Sequence, residues 1–263
     1  MKRVVPQGGV NLVGFNNLTK ALSFNLYDFC VARNESERRS YIEYVAERFN
    51  ARRVTETLTG ICNIIEAQVL AVSDQDYEPW GASSLVLMSD LKGGAGVVEP
   101  KPANVAMHLD KSHVCAHTYP DFQSIGGTGS TICSFRIDID IATCGEISPL
   151  NALNYMFERF ESDVVVIDYV VRGFTRDDEG RRIYMDHQLN SITEYIAPHV
   201  LADYRTLDLQ LGSYNIWQTK MLRVKQDVGT YFRDPIDPED PQVKLHMEQV
   251  NREMRGVLHM WPE

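Results

Sequence analysis

Long hydrophobic runs are missing from this chain: none of its apolar stretches approaches the about 18 residues that a membrane-spanning helix needs. Basic charge is scarce too. Lys and Arg number 26 against 36 Asp and Glu, and the net charge of −10 argues against binding nucleic acid by neutralising phosphates. A small cationic ligand stays compatible with such a field. The five cysteines, at positions 30, 62, 115, 133 and 144, include no CxxC pair. They read as reduced thiols, mostly small buried hydrophobes, and offer neither a disulfide framework nor a zinc site. The segment from Met1 to Gly9 is basic but has no apolar core of the kind a secretion signal carries. No internal repeat is visible. These absences suggest a soluble, cytoplasmic protein.

What is present is an ordinary globular composition, 44% hydrophobic and 24% charged over 263 residues, enough for one large domain or two small ones with a real hydrophobic core. Alternation predicts strands over 20–31, 65–76, 82–90, 104–119, 131–143 and 164–171. Helical spacing predicts helices over 34–50, 55–64 and about 243–258, with another from the Ser148-Pro149 start to about 161. Residues 91–103 read as a linker, and the pattern loosens beyond Asp177. Gly126-Gly127-Thr128-Gly129-Ser130 lacks the Gly-Lys-Ser/Thr ending of a phosphate cradle and leads into a strand, so it reads as a hairpin loop. Together these elements suggest an α/β sandwich of antiparallel sheet with helices packed outside, and an extension after the core.

The chemistry concentrates between His108 and Asp121, in His-Leu-Asp-Lys-Ser-His-Val-Cys-Ala-His-Thr-Tyr-Pro-Asp, and again at Thr143-Cys144-Gly145. Serine, histidine and cysteine at strand ends can attack carbonyls and move protons. Spacing alone leaves two readings open. In one, Ser112, His113, His117 and Cys144 are structural residues. In the other, Cys144 or Ser112 is a hydrolase nucleophile with His117 as base, although no Gly-x-Ser-x-Gly elbow is present.

A third reading comes from resemblance. The His108–Asp121 and Thr143–Gly145 segments resemble the bacterial S-adenosylmethionine decarboxylase family, in its longer proteobacterial form. So do Gly14–Lys20, Gln75–Ser83, Ile147–Tyr155 and Val171–Asp177, and the likeness covers most of residues 14–225. The resemblance implies a single domain made as a proenzyme that cuts itself between Lys111 and Ser112, giving fragments 1–111 and 112–263. Ser112 would become a pyruvoyl group, a built-in cofactor that forms a Schiff base with S-adenosylmethionine. The product would be the aminopropyl donor for spermidine synthesis. By the same resemblance His117 assists processing, Cys144 is the proton donor, and Tyr119 and Asp121 contact the adenine and ribose. A thiol near its ordinary pKa of about 8.5 is protonated at neutral pH, as a donor must be. Tyr119 could instead pack in the core, and Asp121 could cap a turn. Asn104 stands where the family carries a hydroxyl residue. The resemblance also implies a homo-oligomer of processed protomers, and Mg2+ stimulation in parts of the family. Two alternatives remain at this point: a pyruvoyl decarboxylase acting on ornithine or arginine, and an uncut, non-catalytic regulatory homologue.

Overall fold

A computed structural model describes residues 17–90, 112–122, 131–145, 147–160, 162–177 and 179–258. The 91–103 linker, the 126–130 loop, Asn104 and Lys111 lie outside the described residues. The strands are β1 (Thr19–Ala32), β2 (Ala67–Asp76), β3 (Ala82–Asp90), β4 (His113–Asp121), β5 (Thr131–Cys144), β6 (Val164–Arg172), the short pair β7 (Thr175–Arg176) and β8 (Arg182–Ile183), β9 (Tyr204–Leu211) and β10 (Ile216–Arg223). Eight of them form one antiparallel sheet in the order β2-β3-β4-β5-β1-β6-β10-β9. The helices are α1 (Glu35–Arg48), α2 (Ala51–Ile64), α3 (Leu153–Arg159), α4 (Pro198–Leu201) and α5 (Pro241–Val257).

The period of two in each strand decides which side chains enter the core. On β5, Cys133, Phe135, Ile137, Ile139 and Ile141 point inward, and the intervening Ser134, Arg136, Asp138 and Asp140 point away. On β1 the inward set is Leu22, Phe24, Leu26 and Cys30. These residues pack against Tyr41 and Val45 of α1, Val54, Leu58 and Ile61 of α2, and Leu153 and Met156 of α3. Burying each large apolar side chain contributes about 1.5–3 kcal/mol, so this layer carries most of the stability. Among the described residues, the opposite face is covered at one end. There α5 sets Val243, Met247, Val250 and Met254 on Phe29, Val31 and Val164. The C-terminal extension therefore joins the same sheet through β9 and β10 and closes part of its second face.

Several helix boundaries follow from caps. Asn34 and Asn50 accept the N–H groups of Glu37 and Arg53, each at 3.0 Å, which starts α2 four residues before the apolar spacing predicts. Asp240 accepts from Gln242 N–H at 2.8 Å ahead of Pro241. Ser148 departs from expectation. Among the described residues its hydroxyl is buried without a hydrogen-bond partner and caps nothing, and residues 149–152 form a 3-10 turn before α3 begins.

Beside α1, Asp28 and Asp163 line a cavity of about 190 Å3 together with Tyr41, Arg223 and Tyr231. Asp163 accepts from the Phe29 N–H at 2.9 Å and the Tyr231 hydroxyl at 2.6 Å. Burial, then the Asp163 charge, then a hydrogen bond to Asp163 push the Asp28 carboxyl well above the carboxylate range, so Asp28 holds the pair's proton. A carboxyl that binds its proton more tightly when folded stabilises the protein fully below its unfolded pKa of about 4 and loses that contribution as pH rises through its folded pKa. Asp28→Asn, which keeps a donor toward Asp163, is accordingly expected to raise Tm by several degrees at pH 8 and to leave it unchanged at pH 4. A Tm difference independent of pH would contradict the shared proton.

Candidate active site

The site is built where β4 begins and β5 ends. Ser112 immediately precedes β4 and lies between β3 and β5, only 5% exposed. Its carbonyl accepts the Met88 N–H at 3.2 Å. Its hydroxyl accepts the Cys144 N–H, also at 3.2 Å. The sheet thus brings Ser112 and Cys144 together across 32 positions of sequence, the hydroxyl taking a place that a backbone carbonyl fills in a regular ladder. Cys144 is half-buried and forms no disulfide.

The chain turns sharply just after Cys144. Gly145 has a φ of +74°, a left-handed conformation that favours glycine. Its N–H donates to the Leu18 carbonyl at 3.2 Å, and its carbonyl accepts from the Lys20 ammonium at 2.9 Å. Thr143, fully buried, donates its hydroxyl to the Ile147 carbonyl at 3.0 Å and ties down the segment that follows. Lys20 also pairs with Asp186, whose other oxygen is 2.7 Å from His187 Nδ1. Sequence reasoning singled out none of Lys20, Asp186 and His187. The available signal was a lysine at an inward position of a strand whose other inward residues are Leu22, Phe24 and Leu26.

The other expected residues are spread along β4. His117 pairs in register with Ser83 and Asp138, and it faces the side of the sheet opposite to α1, α2 and α3. Five residues at about 3.3 Å each separate it from Ser112 by about 17 Å, and the odd spacing puts the two side chains on opposite faces. Tyr119 is 48% exposed with the Arg136 guanidinium 4.5 Å from its ring centre, so it does not pack in the core. Asp121 is exposed at the far end of the strand, opposite Ser134. Within one chain, then, Ser112 and Cys144 meet, while His117, Tyr119 and Asp121 stand progressively farther away.

Of the remaining thiols, Cys30, Cys62 and Cys133 are buried and Cys115 is half-buried. Burial pushes Cys62 and Cys133 up to about 11; burial and then the Asp140 charge do the same for Cys115; and burial raises Cys30 still further. His113 Nδ1 is buried without a hydrogen-bond partner among the described residues. Among those residues no cluster of three or more His, Cys, Asp or Glu is placed to hold a metal ion. No helix among them is long and apolar enough to cross a membrane.

The sequence model of the S-adenosylmethionine decarboxylase family matches residues 43–173. Proteins named S-adenosylmethionine decarboxylase proenzyme align along nearly the whole chain. The one from Halorhodospira halophila is 44% identical over 259 residues, 95% of this chain and 94% of that protein. The one from Stenotrophomonas maltophilia is 47% identical over 265 residues, covering 97% of each. That of Escherichia coli O139:H28 is 43% identical over 258 residues, 95% of this chain and 96% of its own length. A crystal structure of the adenosylmethionine decarboxylase from Aquifex aeolicus covers 67% of this chain and all of its own at 15% identity, and its TM-score of 0.34 is too low to argue from. Neither the ornithine or arginine reading nor the non-catalytic one gains support from these relatives. With the sequence model and full-length relatives in agreement, the chain belongs to the S-adenosylmethionine decarboxylase family.

Proposed function

We propose that this protein is a self-cleaving decarboxylase of S-adenosylmethionine, a single domain cut between Lys111 and Ser112 into fragments 1–111 and 112–263. The observation that carries the reading is the Ser112 hydroxyl held at 3.2 Å on the Cys144 N–H. This contact fixes the nucleophile beside the residue that later supplies a proton. The Ser112 Oγ attacks the Lys111 carbonyl carbon, the peptide C–N bond breaks, and an ester replaces the amide. Removal of the Ser112 α-proton then expels the ester oxygen as part of the Lys111 carboxylate. Water hydrolyses the resulting enamine, through its imine tautomer, releasing ammonia and leaving a ketone at position 112.

The residues present fit such a group. Ser112 is enclosed between two strands, with a backbone donor already aimed at its side chain. A pyruvoyl ketone there supplies an electrophile for the substrate amine and a sink for the electrons that departing carbon dioxide leaves behind. Cys144 delivers the proton to the substrate carbon. Tyr119 offers the adenine an exposed ring, and Asp121 offers the ribose hydroxyls a carboxylate. Because His117 sits about 17 Å from Ser112 of its own chain and on the other face of the sheet, its role in processing belongs with Ser112 of a second copy. We therefore read the active form as a homo-oligomer of processed protomers. The cytoplasm suits it, as a compartment that keeps the Cys144 thiol reduced.

Denaturing intact-mass analysis beside a substrate panel tests the reading. Two fragments of roughly 12 and 17 kDa, carbon dioxide released from S-adenosylmethionine but not from ornithine or arginine, and a native mass that is a multiple of the 29.9 kDa protomer are expected. A stable uncut chain without activity would overturn it.

A further inference from the structure

We propose that Lys20, anchored by Asp186 and His187, is a positioning residue of the Ser112–Cys144 site. This rests on the function proposed above. Lys20 lies on β1 opposite Thr143 of β5, only 1% exposed. Its ammonium reaches past Thr143 to the Gly145 carbonyl, the first acceptor after Cys144. With Leu18 holding the Gly145 N–H, β1 grips both sides of the left-handed turn. What fixes Gly145 fixes how the chain leaves Cys144, and Cys144 in turn holds the Ser112 hydroxyl. The ammonium's acceptor and the nucleophile's donor belong to consecutive residues, Gly145 and Cys144.

Stability does not account for this arrangement. Replacing a buried ion pair with well-packed apolar residues is often neutral or stabilising, so such a pair is weak evidence for a folding role. Here two further polar atoms add cost: His187 Nε2 and the Tyr169 hydroxyl are buried without hydrogen-bond partners among the described residues, their rings 6.2 Å apart. Burial works against the Asp186 carboxylate, but the hydrogen bond to His187 and the Lys20 charge more than offset it and hold the carboxyl below its ordinary range. Asp186 is therefore ionised, and it pairs with the same ammonium that donates to the Gly145 carbonyl at 2.9 Å.

Lys20→Met with Asp186→Asn removes both charges together and leaves no buried ion unpaired. Position errors of about 1 Å cost on the order of 100-fold in rate. This double variant is expected to fold with a near-UV spectrum like the wild type, to cut itself at least ~10-fold more slowly, and to lose at least ~10-fold in kcat with KM unchanged within about twofold. In an uncut Ser112→Ala background, the rate at which iodoacetamide alkylates Cys144, read by peptide mass, is expected to change at least ~3-fold. A folded double variant with wild-type cutting, kcat and alkylation overturns the proposal, as does a raised KM with kcat intact. Should the double variant not fold, Asp186→Asn alone, isosteric and still an acceptor for Lys20, decides through the same alkylation rate. If the wild type neither cuts itself nor releases carbon dioxide, the proposed function falls, and the alkylation arm still judges Lys20 independently.

Discussion

A Ser112→Ala chain is expected to persist as one uncut species near the full 29.9 kDa and to release no carbon dioxide from S-adenosylmethionine. On the proposed route alanine removes the oxygen that attacks Lys111, so the amide cannot become an ester and no ketone forms at position 112. No natural side chain replaces that electrophile. Enzymes of this kind accelerate their reactions by at least about a millionfold, and the variant should lose essentially all of that, falling below detection. The change deletes one hydroxyl from a site packed between β3 and β5, and the loss of one hydrogen bond, about 1 kcal/mol, leaves the fold intact. Intact mass and a carbon dioxide assay read both effects. A cut Ser112→Ala chain would place the scissile bond elsewhere.

The second large effect separates processing from turnover. Cys144→Ala keeps the backbone N–H that holds the Ser112 hydroxyl, so the chain should still cut itself. Its kcat should then fall by about 10²–10⁴, the range lost with a general acid. His117→Ala should do the reverse and remain uncut, because on the proposed reading it removes the group that moves protons during processing. Mass spectrometry and steady-state kinetics on the same two preparations distinguish them. If Cys144→Ala cut itself and turned over at the wild-type rate, the proton donor would have to be sought among other residues.

Most of the sheet was legible because its strands are half buried. The alternation Cys133, Phe135, Ile137, Ile139, Ile141 against Ser134, Arg136, Asp138, Asp140 names β5 without any tertiary knowledge. β9 was invisible for the converse reason. It is an edge strand exposed along most of its length, with Leu207 and Leu209 facing solvent, so polarity does not mark its inward side. β10 carries the alternation Trp217, Thr219, Met221, but it sits in a stretch otherwise dominated by turns. In the candidate site, the residue types between His108 and Asp121 point to carbonyl and proton chemistry, and the resemblance assigns the roles. What spacing could not supply is register. That Ser112 meets Cys144 depends on how β4 and β5 are paired. The Lys20 cluster was hidden for a related reason, since Asp186 lies 166 positions away in a segment of loose pattern.

The contact between Cys144 and Ser112 has a built-in expiry. On the proposed route the Ser112 oxygen leaves with the upstream fragment and ends as one of the two oxygens of its new terminal carboxylate. The Cys144 amide hydrogen therefore loses its original acceptor at the moment the enzyme matures. A donor that steadied the precursor is handed over, already oriented by the Gly145 turn, to whatever oxygen next occupies the position. Maturation in this design spends a hydrogen bond in order to free a binding group.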